Sequence, residues 1–202
     1  MKRASWGALA LALLAGLAQA MSLAAPGSGA PLWWLQLPAL AVLVTLLDRS
    51  HSAVSAAALG LVFATAWMCG TFWRLFISMY TYGGLAAPLA ALAVLALGAF
   101  VALFYAAACA AWRAWARGHW LWRALVFAAL WLLAELCRGQ WLTGFPWGAA
   151  GYSHVDGPLA ALAPLAGVYG MSFMAALLAA LLAFALRRPE KWGAGVAGAL
   201  LL

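Results

Sequence analysis

Long apolar runs, separated by short clusters of glycine, proline and charge, set the tightest limit on what this chain can become. A membrane-crossing helix needs ~20 predominantly apolar residues. Six segments read that way, at about residues 6–24, 32–47, 53–78, 88–112, 120–136 and 158–186. A further run begins near Trp192 and has 11 residues before the sequence stops at Leu202. That is too short to cross ~30 Å of hydrocarbon at ~1.5 Å per residue, so the chain is expected to stop inside a seventh helix. The expected fold class is all-α: a polytopic transmembrane helix bundle of six complete helices plus a truncated seventh, with residues 1–202 as one transmembrane domain.

Composition closes the alternatives. Hydrophobic residues fill 69% of the 202 positions and charged residues 7%, against about a quarter charged in a soluble domain. Barrel strands would alternate polar and apolar positions in segments of ~10 residues, and no such alternation is present. The net charge of +7 is scattered in small groups between apolar runs and forms no basic stripe with aromatic platforms, so nucleic acid is not an expected partner. Cys69, Cys109 and Cys137 sit in apolar stretches without the close spacing of a metal site. Neither metal nor cofactor is expected.

Lysine and arginine orient the bundle. With the N-terminus on the cytoplasmic side, nine basic residues lie at inner ends: Lys2, Arg3, Arg49, Arg113, Arg117, Arg123, Arg187, Arg188 and Lys191. Only Arg74 and Arg138 lie at outer ends, the bias that the positive-inside rule describes. Residues 1–20 have a basic head, an apolar core and an Ala18-Gln19-Ala20 ending, so they also resemble a cleavable signal peptide. Retention as a first helix is the expectation, and cleavage would leave every later helix in the same direction.

The stretch from Glu135 to Gly170 carries the specific information. Glu135 and Arg138 stand three residues apart, on one face at the outer end of the fifth helix. The following loop, 139–157, mixes glycine, proline and aromatic residues and is too apolar for a solvated linker. Non-helical backbone at membrane depth must be buried in protein or line a cavity, so the loop is expected to re-enter the outer leaflet. Its candidate lipid-lining or loop-shaping residues are Glu135, Arg138, Trp141, Phe145, Pro146, Trp147 and Tyr152, together with the Tyr82-Gly83-Gly84 turn. Phe145, Pro146, Trp147 and Tyr152 are expected to form the packed core of the loop, and His154 and Asp156 to be exposed polar groups. Glu135 and Arg138 are expected to pair with each other or with the loop backbone, contact with a lipid headgroup being the alternative.

These residues resemble the membrane domain of the apolipoprotein N-acyltransferase family. The matching elements are Glu135, Arg138 and Gly139, Thr143-Gly144-Phe145-Pro146-Trp147, Gly151-Tyr152, Gly157-Pro158-Leu159, Leu162-Ala163-Pro164 and Gly167-Val168-Tyr169-Gly170. Phe76-Ile77-Ser78-Met79-Tyr80-Thr81-Tyr82-Gly83-Gly84 is a second match. Two positions depart from the family pattern, Arg74 where an aromatic is usual and Tyr80 where histidine is common. The resemblance implies a multi-pass protein of the bacterial inner (cytoplasmic) membrane. Its implied partners are a phospholipid acyl donor, a diacylglyceryl apolipoprotein acceptor and membrane lipids. It also implies that the transfer runs through an enzyme thioester on a nitrilase-like domain with a Glu–Lys–Cys triad.

The residues themselves assemble no such triad. Cys137 is the one cysteine near the outer surface, but residues at i and i+2 of a helix do not face each other, so Glu135 is poorly placed as its base. The two lysines, Lys2 and Lys191, fall on the opposite side. No catalytic residue is therefore assigned, and the chain alone is expected to be inactive. A non-enzymatic membrane scaffold, or a lipid-binding partner of a separate nitrilase-like protein, is the alternative. A small transporter would need ionisable groups facing a midplane cavity, which the sequence does not clearly provide.

Overall fold

The computed structural model describes residues 4–187. The run beginning at Trp192, and Lys2, Arg3, Arg188 and Lys191 of the charge count, lie outside the described residues. Every regular element among those residues is helical: α1 (Trp6–Leu23), α2 (Gln36–Arg49), α3 (Ala53–Ile77), α4 (Ala87–Trp115), α5 (Trp120–Gln140) and α6 (Ala163–Leu186). Five helical stretches are long and apolar enough to cross a membrane, Trp6–Leu23, Ala53–Tyr82, Ala87–Trp115, Trp120–Gln140 and Pro158–Leu186. Side-chain caps start two of the helices where the backbone amides lack helical partners: Ser5 accepts from the Ala8 amide (3.3 Å) and Ser52 from that of Ser55 (3.1 Å).

The second and sixth runs differ from their expected outlines. The segment expected at 32–47 starts with a 3₁₀ turn, Trp33–Leu35, and its α-helix has 14 residues ending at Arg49. Gln36, fully buried, donates from Nε2 to the Ala150 carbonyl (2.7 Å), so α2 starts beneath the returning loop. The segment expected at 158–186 opens as a 3₁₀ turn, Pro158–Leu162, and α6 is interrupted at Gly167 (φ 61°, ψ −167°). Proline removes a backbone donor, and that Gly167 conformation is open essentially to glycine alone.

Small residues let the helices approach closely. A Cβ on Gly60 of α3 would lie 2.7 Å from Cys109 Sγ of α4, and one on Gly98 of α4 would lie 2.9 Å from Cys69 Sγ of α3. These two helices share the most extensive contact in the bundle. Beside this seam lies an aromatic cluster from α3, α4 and α5. Trp67 stacks on Trp131 (centroids 5.7 Å, 13° between planes), and Tyr105 sits 5.1 Å from Trp67 and 4.8 Å from Trp131.

Five of the seven described arginines, Arg49, Arg113, Arg117, Arg123 and Arg187, gather at one end. Asp48 at the end of α2 forms ion pairs with both Arg123 and Arg187. Arg113 Nε donates to the Ser50 carbonyl (2.8 Å), and the Arg123 guanidinium lies over the Trp112 ring at 4.8 Å. Trp112 is buried under this network.

The opposite end is uneven. Ala53–Tyr82 has 30 residues and α4 has 29, whereas α5 has 21, so at ~1.5 Å per residue the α3–α4 hairpin is over 10 Å longer than α5. Its tip projects past the level where α5 ends.

Substituting Gly60→Leu forces the α3–α4 seam apart and is expected to lower stability by about 1–3 kcal/mol, the usual cost of overpacking. Adding Cys109→Ala should recover part of that loss. Unfolding of both variants in detergent, followed by circular dichroism, checks the coupling.

Candidate functional site

α5 delivers Glu135 and Arg138 to the interior, with 0% and 2% of their surface exposed. They meet through a third residue. Arg138 Nε donates to the Tyr105 hydroxyl (2.9 Å), which donates in turn to Glu135 Oε1 (3.4 Å). The same Oε1 accepts from the Ala150 amide (2.8 Å), and Arg138 Nη1 donates to the carbonyls of Phe145 (2.8 Å) and Trp147 (3.0 Å). The Arg138 carbonyl accepts from the Phe145 amide (2.7 Å). Four hydrogen bonds thus hold the loop between residues 145 and 150 to α5, and Tyr105 ties the same two side chains to α4. Both charged side chains are buried, with the loop backbone and Tyr105 as their hydrogen-bond partners.

Other helices complete the anchorage. Ser172 of α6 accepts from the Gly151 amide (2.7 Å) and lies beside the Glu135 carboxyl. Ser22 of α1 shares a hydrogen bond with Ser153 (2.8 Å). The loop backbone is bent to suit: Gly144 and Gly148 have φ of 75° and 74°, and Leu142 is the described non-glycine residue with positive φ (52°). A leucine there is strained, and its side chain is exposed.

The expected aromatic core of the loop is inverted. Pro146, Trp147 and Tyr152 are exposed, and Phe145 is half-buried against Phe72 (5.1 Å). The buried part is Gly148-Ala149-Ala150-Gly151. Close approach decides this, because a Cβ on Gly148 would come within 2.7 Å of Thr71 Cγ2. Only a small-residue backbone fits against α3, so the large rings turn outward. Trp141 is exposed too, its ring 6.2 Å from that of Phe104. Tyr82, Gly83 and Gly84 stand exposed at the hairpin tip. They lie about 10 residues beyond Phe72, or ~15 Å along α3, and are not brought to the node.

His154 corrects a second expectation. Asp156 is exposed as expected, but His154 is 0% exposed, with its ring 6.0 Å from Trp33 and both ring nitrogens without a protein partner. The 3₁₀ turn Ala150–His154 folds it inward, beside the Ser153 side chain that α1 holds. Burial pushes the imidazole pKa below its ordinary value of 6.5.

Tyr105, Gln36, Ser172, Ser22 and Ser153 were not singled out in the sequence. The signal available was a polar group inside an apolar run. All three cysteines are free, and no cluster of three or more His, Cys, Asp or Glu exists among the described residues. The hydrogen bonds of Glu135 go to Tyr105 and Ala150, not to Cys137. The node therefore positions backbone and offers no base–nucleophile pair.

Membrane-length helices around a loop tied inward by a buried Glu–Tyr–Arg node define a polytopic membrane protein with one structured, aromatic-faced end. A sequence profile described as the apolipoprotein N-acyltransferase N-terminal domain matches residues 15–181. The chain is 59% identical over 174 residues to an apolipoprotein N-acyltransferase of Verminephrobacter eiseniae, covering 84% of this chain and 32% of that one. It is 46% identical over 173 residues to one of Ralstonia nicotianae, covering 84% and 33%. With one of Pseudomonas putida it shares 44% identity over 203 residues, covering 99% and 39%. The chain belongs to the apolipoprotein N-acyltransferase family. It spans about a third of the length of these curated relatives.

Two outcomes follow from this geometry. Tyr105→Phe removes the hydroxyl that joins the two buried side chains and should lower stability by about 1–3 kcal/mol. Limited proteolysis should then cut within 141–157 faster than in the unaltered protein. A histidine whose folded pKa is depressed binds protons more readily when unfolded, so its contribution is intact above about 6.5 and is lost as pH falls below that value. Unfolding measured from pH 7 to pH 5 should show this loss, and His154→Gln should reduce it.

Proposed function

We propose that this chain forms the membrane base of a bacterial apolipoprotein N-acyltransferase. Its N-terminus lies on the cytoplasmic side, and its loop end presents lipid substrates at the outer leaflet. The donor is a phospholipid and the acceptor an apolipoprotein beginning with diacylglyceryl-cysteine. In the implied chemistry an enzyme thiolate attacks the phospholipid ester, releasing a lysophospholipid and forming a thioester. The acceptor amine then attacks the thioester, forming an amide and returning the thiol. The described residues supply no Glu–Lys–Cys set, so the role argued for this chain is to hold and align lipid.

The exposed face of the loop carries this reading. Trp141, Trp147 and Tyr152 stand below the tip of the α3–α4 hairpin on a backbone that the Glu135–Tyr105–Arg138 node fixes. An apolar groove of ≈ 410 Å³ opens at the same end, between α1 and α3, lined by Leu17, Met21, Pro26, Gly70 and Trp73 among others. That volume is within the ~300–1,000 Å³ typical of small-molecule sites, and its lining suits an acyl chain. Clustering of five of the seven described arginines at the other end supports the orientation.

The test joins this chain to the C-terminal two thirds of the Verminephrobacter relative and follows acylation of a diacylglyceryl peptide in proteoliposomes by mass. The fusion should transfer acyl chains and the 202-residue chain alone should not. Trp147→Ala and Met21→Trp should each lower kcat/KM roughly tenfold at normal protein level, the scale of one large apolar contact. Full activity in both variants would count against the lipid-facing role. A folded but inactive fusion would favour the scaffold reading.

A further inference from the structure

The end of the bundle opposite the loop holds a second concave region that the acyl-transfer reading does not use. A cavity of ≈ 560 Å³ is bounded by Ser5 and Gly7 at the start of α1, by the Arg49-Ser50-His51 turn, and by Ser55 of α3. A second groove of ≈ 300 Å³ runs between α2 and α6, lined by Pro38, Val42, Leu182 and Leu186. Leu11, Leu46 and Arg49 line both, so the two meet at Arg49. The first carries polar groups on a mainly apolar lining, and the second is almost wholly apolar.

Arg49 and Arg117 are the exposed arginines of this end with no side-chain partner among the described residues, and Arg49 lines both hollows. Asp48 is engaged by Arg123 and Arg187, and Arg113 is held by the Ser50 carbonyl. Arg49 is exposed and has no hydrogen bond or ion pair among the described residues. His51 is exposed on the same rim. Residues of the first turns of α1 and α3, both capped by serine, also line the first cavity, and the positive end of a helix dipole favours an anion. Lys2 and Arg3, next to Ala4 in the sequence, carry charge of the same sign.

We propose that this site binds an anionic glycerophospholipid, its phosphate at Arg49 and His51 and an acyl chain in the groove between α2 and α6. Basic pockets between helices at a membrane face are a recognised mode of headgroup binding. The apolar groove leading away from the guanidinium selects a lipid over a free phosphate ion. Assigning the lipid to the inner leaflet rests on the orientation proposed above; the binding does not.

The purified protein, stripped of lipid in neutral detergent, is titrated with phosphatidylglycerol, phosphatidylcholine and inorganic phosphate, and bound species are counted by native mass spectrometry. Phosphatidylglycerol should bind on the order of tenfold more tightly than phosphatidylcholine, the scale of one charged hydrogen bond. Inorganic phosphate at the same concentration should not displace it. Arg49→Gln should abolish the preference, Arg49→Lys should keep part of it, and Leu182→Trp should weaken both lipids. An unchanged preference in Arg49→Gln overturns the proposal. So does displacement by phosphate, or unaltered lipid binding in Leu182→Trp. The acyl-transfer assay is read separately. Failure there with selective lipid binding intact would touch only the proposed function, and the converse would touch only this site.

Discussion

A carboxyl and a guanidinium carried into an apolar bundle must find their partners within the protein, because lipid offers none. In this chain one hydroxyl and a handful of backbone groups meet most of that demand, with Glu135 Oε2 and Arg138 Nη2 left without a protein hydrogen bond. The planar guanidinium of Arg138 reaches the Tyr105 hydroxyl and two loop carbonyls at once, a geometry that the point-like ammonium of lysine does not reproduce. Glu135 spends the same oxygen on Tyr105 and on the Ala150 amide. Withdrawing one partner from a buried charged pair costs about 3–5 kcal/mol, so the path of the loop is coupled to the stability of α4 and α5. A loop held this way is part of the bundle and not a tether between two helices.

The node depends in turn on how tightly the helices below it pack. Lipid supplies no hydrophobic drive between membrane helices, and close van der Waals contact must hold them. Gly60 and Gly98 bring α3 and α4 together. The stacked Trp67 and Trp131 then fix the ring of Tyr105. Only with that ring locked does its hydroxyl fall between two side chains of α5. Packing of apolar surface in one layer thus sets hydrogen-bond geometry in the next.

Much of the helical layout was legible in the sequence, since long apolar runs in lipid leave little choice, and so was the special status of 135–170. The departures have local causes. Tyr105 passed unnoticed because a tyrosine between Phe104 and Ala106 reads as membrane filler until its hydroxyl is seen to have partners. The loop aromatics were placed inside because size usually predicts burial. Here a glycine and alanine backbone took the tight space against Thr71 and Phe72, and the rings were left outside. His154 was read as a solvated group of a loop, but the turn at Ala150–His154 folds it beneath Trp33. Each miss concerns a contact between distant segments, which periodicity along one segment cannot register.

The unequal helix lengths give these local facts a common consequence. Phe145 packs against Phe72, Gly148 against Thr71 and Trp141 against Phe104, all well short of the hairpin tip at Tyr82. The loop therefore closes the bundle at a level ~15 Å below that tip. A bilayer beside the protein meets the long apolar flank of the hairpin on one side and the aromatic surface of the loop on the other. α5, at 21 residues, already matches ~30 Å of hydrocarbon. The longer hairpin therefore rises past it and leaves a step, which is accommodated by tilt or by local thickening of the bilayer. The polar node sits under this step, where it ties the loop to α5 below the level of the hairpin tip.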